Sequence, residues 1–162
     1  HLPLQSGSDQ VLARMRRRYD TGRFREAVRL VRAARPELAL TGDVMVGFPG
    51  ETEDDFRRTL EVIEESAFSG LHVFRYSARP RTPAARYQDA LPALVGKERS
   101  RLTIELGERL RLAYEARFRG RPLEVIWDRL QAETARGVSE NYITVTAPAA
   151  GRRPGTLERL LF

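Results

Sequence analysis

The segment Thr41–Thr52, with the sequence TGDVMVGFPGET, places the strongest constraint on the fold of this chain. Its apolar run VMV at 44–46 lacks polar alternation, which is typical of a parallel strand covered on both faces. The GFPG that follows indicates a tight turn, and Thr52 with Asp55 predicts a capping box that starts a helix. Strand, glycine turn and capped helix form one unit of an α/β fold, and ligands bind at that end of the strands.

Further strands and helices are predicted on both sides of this unit. His1–Gln5 is expected to form a strand, and Ser8 or Asp9 to cap the helix that follows it. A second helix is predicted at about 23–34 and a third strand, opened by Gly70, at 71–76. Strands separated by helices indicate right-handed crossovers and a parallel sheet, and three strands make only half of a barrel.

The pattern changes in the second half of the chain. Pro92 is expected to begin a long helix that reaches about Phe118, whereas 123–127, 142–146 and 156–162 have strand character. We therefore predict two domains: residues 1–118, including the connecting helix at about 92–118, and an antiparallel β module at 119–162. Trp127 is expected in the core of that module, because a module this small has few large residues.

Composition excludes several classes of site. Among 162 residues there is no cysteine and there are only two histidines, which excludes disulfides, thiolate metal sites and a cysteine nucleophile within this chain and argues against a histidine zinc site. No apolar run has the length of a membrane span, and no signal segment opens the chain. His1 leads directly into an apolar stretch, so we interpret the chain as a fragment of a longer protein.

The net charge of +6 and the pI near 10.4 are compatible with nucleic-acid binding. Of the 28 basic residues, however, only Lys97 is a lysine. Genome composition explains such a bias more simply than phosphate binding does, so the charge permits an RNA partner without identifying one. The three consecutive arginines at 16–18 are interpreted in the same way, as part of a mostly solvated helix face.

Polar side chains are predicted to gather where the strands end. Gln5, Ser6 and Ser8 follow the first strand, Asp43 and Glu51 lie on or beside the second, and Tyr76 ends the third. Amides, hydroxyls and carboxylates in this arrangement suit a polar ligand with ribose hydroxyls and an amino-acid head. No catalytic residue is predicted, because neither carboxylate has a histidine or cysteine to activate.

Three motifs resemble methylthiotransferases of the radical S-adenosylmethionine (SAM) superfamily: LPLQSGSD at 2–9, DVMVGFPGETEDDF at 43–56 and HVFRYSARPRTPAA at 72–85. GRPLEVIWD and GVSENYITVTAP in the β module resemble the TRAM domain, a small RNA-binding barrel. Within the family, QSGSD resembles the tRNA-modifying branch. HVFxYS with a short TRAM domain favours enzymes that act on threonylcarbamoyladenosine over those that act on isopentenyladenosine.

The resemblance implies the C-terminal half of a partial, TIM-like (β/α)6 barrel, followed by a truncated TRAM-like barrel. It implies that Gln5 and Asp43 contact the ribose of SAM, that Arg17 pairs with its carboxylate, and that the backbone around 74–76 meets its adenine. The full cofactor-binding set is Gln5, Ser6, Arg17, Asp43, Gly47, Gly50, Glu51, Phe74 and Tyr76. The RNA-binding set in the β module is Arg119, Arg121, Asn141, Tyr142, Arg152 and Arg153.

The activity implied is transfer of a methylthio group to C2 of a modified adenosine beside the anticodon, in the cytoplasm, with SAM, 4Fe–4S clusters and an electron donor. The Cys-x3-Cys-x2-Cys motif that holds the radical-forming cluster is absent here, so the isolated chain is expected to be inactive. Arg75 stands where the family commonly has proline, and Arg81 where it usually has glycine. The alternatives are an isopentenyladenosine enzyme, another radical SAM enzyme, and an RNA-binding fragment without catalysis.

Overall fold

The computed structural model describes every residue from His1 to Phe162 and divides into two compact units, His1–Leu112 and Ala113–Phe162. The first unit contains α1 (Asp9–Arg14), α2 (Thr21–Ala34), β1 (Thr41–Val46), α3 (Glu53–Ser66), β2 (Gly70–Arg75) and a short 3-10 helix at Pro83–Arg86. The long helix α4 (Ala93–Ala116) leads along the chain into the second unit, which holds β3 (Pro122–Gln131), β4 (Thr134–Ser139), β5 (Thr144–Pro148) and β6 (Leu157–Leu161). None of the helices combines the length and apolar character needed to cross a bilayer.

The first unit is built on a parallel pair of strands. β1 and β2 pair in register from Thr41 opposite Gly70 to Val46 opposite Arg75, with α3 as the crossover. The regular strand predicted at His1–Gln5 is wrong. Only Gln5 forms a bridge, with Val44, because Pro3 has no N–H to donate and Gln5 adopts a φ of 64°, which ends the extended conformation.

The helix starts follow their capping residues. The Thr52 and Asp55 capping box is confirmed: the Asp55 N–H donates to Thr52 Oγ1 at 3.1 Å, and the Thr52 N–H donates to Asp55 Oδ2 at 2.9 Å. Ser8, one of the two alternatives, caps α1, and Asp20 caps α2. α1 ends at Arg14, so the arginines at 16–18, which were expected on a helix face, lie beyond it.

The core of the first unit lies on one face of β1. Val44 and Val46 are fully buried among side chains of α2 and α3, whereas Asp43 and Met45 on the opposite face are half-buried. The expectation that both faces of this strand are covered is therefore wrong for this chain. The half-open face is the one on which the candidate site lies.

The second unit is an open antiparallel sheet with the order β5-β4-β3-β6. β3 buries Leu123, Val125 and Trp127 in alternation, which confirms Trp127 as a core residue with 0% exposure. β4 was not predicted, because its inward residues are small. A Cβ at Gly137 would lie 2.9 Å from the Trp127 ring, so the strand has no room for a side chain where the tryptophan packs.

The strand predicted from Tyr142 begins two residues later, at Thr144. Tyr142 lies in a turn with a φ of 59°, outside the extended region. The Ser139 hydroxyl accepts the N–H groups of Asn141 and Ile143, at 3.2 and 3.1 Å, and holds this turn closed. Tyr142 is 80% exposed as a result.

Candidate functional site

A buried ion pair between Arg99 and Glu51 supports the glycine turn, residues 47–50, that follows β1. Gly47 and Gly50 have φ angles of 74° and 78°, which glycine adopts without strain. Glu51 accepts the Gly47 N–H at 2.7 Å and the Arg99 guanidinium of α4 at 2.6 Å, and only 1% of Glu51 is exposed. Burial raises the pKa of Glu51, and the Gly47 N–H and Arg99 offset this only in part.

A cavity of about 500 Å³ opens beside this turn, at the carboxyl ends of β1 and β2. That volume lies within the roughly 300–1,000 Å³ typical of small-molecule sites. Met45, Phe48 and Phe74 provide apolar wall, and Tyr76 brings a buried hydroxyl that has no hydrogen-bond partner. Five arginines also line the cavity: three come from the end of α1 and the residues after it, and two from the end of β2 and the segment after it.

Gln5 and Arg17 meet at the edge of the cavity. The Arg17 guanidinium donates to Gln5 Oε1 at 2.7 Å, and both residues line the cavity. No carboxylate of the chain lies within ion-pair distance of Arg17, so its charge remains available to an anionic group. The left-handed backbone of Gln5 is held by its own N–H and C=O, which bond to β1 at Asp43 and Met45.

Asp43 lies on the cavity face of β1, two residues before Met45. Its carboxylate is flanked by two imidazoles, with His1 Nε2 at 3.3 Å and His72 Nδ1 at 3.2 Å. The side chain is 27% exposed and therefore still reachable by a ligand. The two rings fix the orientation of the carboxylate.

A segment after the 3-10 helix, Tyr87–Asp89, lines the cavity through Tyr87; we call it the strap. Arg14 at the end of α1 donates twice to the Asp89 carboxylate, at 2.8 and 2.7 Å, and its guanidinium lies 4.8 Å from the Tyr87 ring. The Gly50 N–H donates to the Asp89 carbonyl at 2.9 Å. The strap therefore joins α1 to the glycine turn.

Ser6, Gly7 and Ser8 join α1 to α3 and do not line the cavity. The Ser8 hydroxyl donates to Asp55 Oδ1 at 2.6 Å, and the Gly7 N–H donates to Thr59 Oγ1 at 2.9 Å. A Cβ at Gly7 would lie 2.5 Å from the Thr59 Cα, so only glycine allows this approach. Ser6 is fully buried against Thr59 Oγ1 at 3.3 Å, a packing position.

The cofactor-binding residues expected from the sequence thus occupy different places. Four of them line the cavity together: Gln5, Arg17, Phe74 and Tyr76. Asp43 lies on the same strand face, Gly47 and Gly50 shape the turn, and Glu51 lies beneath it. Sequence reasoning missed Arg14, Tyr87, Asp89 and Arg99, because long-range pairs such as Arg14 with Asp89 leave no periodic signal.

The RNA-binding residues expected in the β module fall into two groups, those that are exposed and those that pack against other side chains. Arg119, Arg153 and Tyr142 are exposed, and Asn141 is half-buried. Arg152 instead lies 4.8 Å over the Trp127 ring and donates to Glu158 at 2.7 Å. The hydrogen bond from Arg152 lowers the pKa of Glu158, and a second bond, from the Trp127 N–H, adds to it. Arg121 packs 5.1 Å from the Phe118 ring.

The cavity fits SAM in its chemistry. Arg17 matches a carboxylate, Gln5 and Asp43 match hydroxyl groups, and Phe74, which is 50% exposed, offers an aromatic face to adenine. The chain does not fit an iron–sulfur cluster, because such clusters are held by cysteine thiolates and this chain has none.

Comparison with known proteins identifies the family to which the chain is similar. Residues 1–63 match the family model of the radical SAM superfamily. The tRNA-2-methylthio-N(6)-dimethylallyladenosine synthase of Mycolicibacterium smegmatis is 49% identical over 140 residues, covering 84% of this chain and 27% of that protein. The synthase of the same name from Acidothermus cellulolyticus is 43% identical over 161 residues, covering 96% and 32%.

A second type of relative also matches. The threonylcarbamoyladenosine tRNA methylthiotransferase MtaB of Bacillus subtilis is 43% identical over 150 residues, covering 90% of this chain and 33% of that protein. The chain spans between a quarter and a third of the length of these three curated relatives. The chain belongs to the radical SAM superfamily, and its homologues over most of its length are tRNA methylthiotransferases.

Proposed function

We propose that the protein containing this chain is a tRNA methylthiotransferase that adds a methylthio group to C2 of a modified adenosine next to the anticodon. The observation that carries this proposal is the cavity at the ends of β1 and β2, where Gln5, Phe48 and Phe74 converge from three separate motifs. Those motifs are the ones through which the chain resembles the family. The cavity sits where α/β proteins bind their ligands.

Residues that line the cavity, together with Asp43 on the same strand face, have separate tasks towards the cofactor. Arg17 binds the carboxylate of SAM through its guanidinium, and the Gln5 amide, which already holds Arg17, sets its direction. Asp43 accepts hydrogen bonds from the ribose, and Met45 and Phe74 enclose the adenine. SAM bound beside a reduced 4Fe–4S cluster supplies the radical chemistry. In this proposal the clusters are held by cysteines outside this chain, and an electron donor reduces them.

The second unit is assigned to the tRNA. Tyr142, Arg119 and Arg153 are exposed and can stack on unpaired bases or hold phosphates of the anticodon stem-loop. Arg152 is excluded from this role because its guanidinium is committed to Glu158 and Trp127.

Two modified adenosines are candidates for the substrate. The motif HVFRYS and the short β module favour N6-threonylcarbamoyladenosine. The names of the M. smegmatis and A. cellulolyticus relatives favour N6-dimethylallyladenosine. Identity is higher to the M. smegmatis synthase, 49% over 140 residues, than to the threonylcarbamoyladenosine enzyme of B. subtilis, 43% over 150 residues, so overall similarity favours the dimethylallyl substrate.

The test is a methylthiolation assay with the full-length protein. It is reconstituted anaerobically with iron and sulfide and given SAM, a reductant and tRNA carrying one or the other modification. Mass spectrometry of the digested nucleosides should show a 2-methylthio product from one of the two tRNAs. A protein that cleaves SAM and modifies neither tRNA would show that the proposed function is wrong.

A further inference from the structure

Four arginines at the mouth of the cavity have no partner for their side chains. Arg16, Arg75 and Arg79 line the cavity, and Arg81 lies between two lining residues, Arg79 and Thr82. We call these four residues the arginine rim. All four are exposed, and none of their guanidinium groups donates a hydrogen bond or forms an ion pair.

Arginines on the helices of the same unit behave differently. Most of them, though not Arg23 of α2, are paired with carboxylates. Examples are Arg25 with Glu65 at 2.7 Å, Arg57 with Asp54 at 2.9 Å and Arg109 with Glu64 at 2.8 Å. Genome composition accounts for the number of arginines but not for this division. The carboxylate of the strap, Asp89, is already taken by Arg14, so the rim retains its positive charge.

Backbone conformation gives an independent observation. Arg16 and Arg81 have φ angles of 58° and 70°, in the left-handed region that costs energy for residues other than glycine, asparagine and aspartate. Arg16 follows the C-cap of α1, a position where glycine is the commonest residue. Residues kept in this conformation despite its cost are concentrated at functional sites.

We propose that the arginine rim binds the phosphate backbone of the substrate tRNA where the target nucleotide enters the cavity. This inference rests on the proposed function and adds a second RNA-binding surface, on the first unit, to that of the β module. A small anion does not explain the rim, because Arg17 already serves the single carboxylate of the cofactor. A strand with one negative charge per nucleotide matches several separate guanidinium groups.

The test compares two double variants of the full 162-residue chain. Arg16→Gly/Arg81→Gly removes two rim charges and relaxes both left-handed positions, so its melting temperature should be equal to or above that of the wild type. Arg23→Ala/Arg35→Ala, the control, removes two charges from exposed arginines of α2 and its C-cap that also lack side-chain partners. Binding of a fluorescent anticodon stem-loop RNA is measured across a salt series.

The rim variant should flatten the slope of log affinity against log salt by about 0.7 for every phosphate that the rim no longer binds, and the control should leave it unchanged. Equal slopes for the two variants, or no binding by the wild type, would overturn the proposal. Failure of the rim is distinguishable from failure of the proposed function. If the rim variant binds normally while the full-length protein still methylthiolates tRNA, the function stands and the rim proposal is wrong.

Discussion

Individual arginines in this chain have three distinct roles, although the sequence presents them alike. Arg99 is 5% exposed and neutralises Glu51 beneath the glycine turn. Arg152 covers Trp127 in the second unit. Arg17 reaches the cavity with no carboxylate against it. Only the environment of each side chain distinguishes these roles. Each role can therefore be tested by a substitution at the arginine concerned.

Replacing Arg17 with alanine should weaken SAM binding in the full-length enzyme. The expected loss is about 1.5–3 kcal/mol, the range for a hydrogen bond to a charged group. Arg18→Ala is the matched control, because Arg18 is a neighbouring exposed arginine that does not line the cavity. Isothermal titration calorimetry with SAM measures both. Equal losses for the two variants would mean that Arg17 acts only through surface charge.

Replacing Arg99 with methionine should destabilise the protein by about 3–5 kcal/mol at neutral pH, because it leaves the buried Glu51 charge uncompensated. Burial already raises the pKa of Glu51, and loss of Arg99 removes part of what opposes it, so that pKa should rise further. A group with a raised folded pKa stabilises the fold below its unfolded pKa, and this stability is lost as pH rises through the folded pKa.

The penalty of Arg99→Met should therefore shrink as the pH falls towards the ordinary glutamate range, where Glu51 is protonated. Urea unfolding at a series of pH values gives the free energy of unfolding. Arg101→Met, on the same helix, is the control, because its ion pairs with Glu98 and Glu105 are exposed and worth little. A penalty for Arg99→Met that is constant with pH would contradict this account of Glu51.

At the level of elements, sequence was most informative where a local rule decides the outcome. The capping box of α3 follows from Thr52 and Asp55, which are three residues apart. β4 could not be found in this way, because Gly137 and its inward neighbours are small in order to fit beneath Trp127. The strap was also missed, since the partners Arg14 and Asp89 are 75 residues apart and only the folded chain brings them together.

The strap and the backbone conformation both disfavour a side chain at Gly50. A Cβ at this position would lie 2.5 Å from Asp89 Oδ2 and 2.9 Å from the Arg14 guanidinium carbon, and the φ of 78° disfavours any L side chain. Gly50→Ala should therefore lower the free energy of unfolding by about 1–3 kcal/mol. Gly96→Ala in α4 is the control: its Cβ meets nothing within 4 Å, so it should be neutral or stabilising by up to about 1 kcal/mol. Equal effects in urea unfolding would show that the strap does not constrain Gly50.

For the molecule as a whole, the absence of cysteine means that this chain has no thiolate to hold an iron–sulfur cluster, although its cavity fits SAM. The isolated chain should remain colourless after anaerobic reconstitution with iron and sulfide, because no thiolate is available to hold a cluster. Visible absorbance and iron analysis measure this. A stoichiometric cluster on the isolated chain would contradict the proposal that the clusters are held by residues outside it.

The two units should contribute separately to the two ligands. In the full-length enzyme, deletion from Arg119 onwards should weaken tRNA binding and flatten its salt dependence, yet leave cleavage of SAM in the absence of tRNA largely intact.

Tyr142→Gly gives a finer test, because it removes the 80% exposed ring and relaxes its φ of 59°. It should weaken RNA binding by about 1–3 kcal/mol, the value of one stacked base, without lowering the melting temperature.

Arg152→Ala is the contrasting variant within the same unit. Its guanidinium bonds to Glu158 and the Pro148 carbonyl and covers Trp127, so its loss should lower the melting temperature while the salt dependence of tRNA binding stays the same. Arg153 is its exposed neighbour, and Arg153→Ala should flatten the salt dependence of tRNA binding while the melting temperature stays the same. If deletion of the module and Tyr142→Gly both leave tRNA affinity unchanged across the salt series, the second unit has a structural role only, and recognition of the tRNA must lie elsewhere.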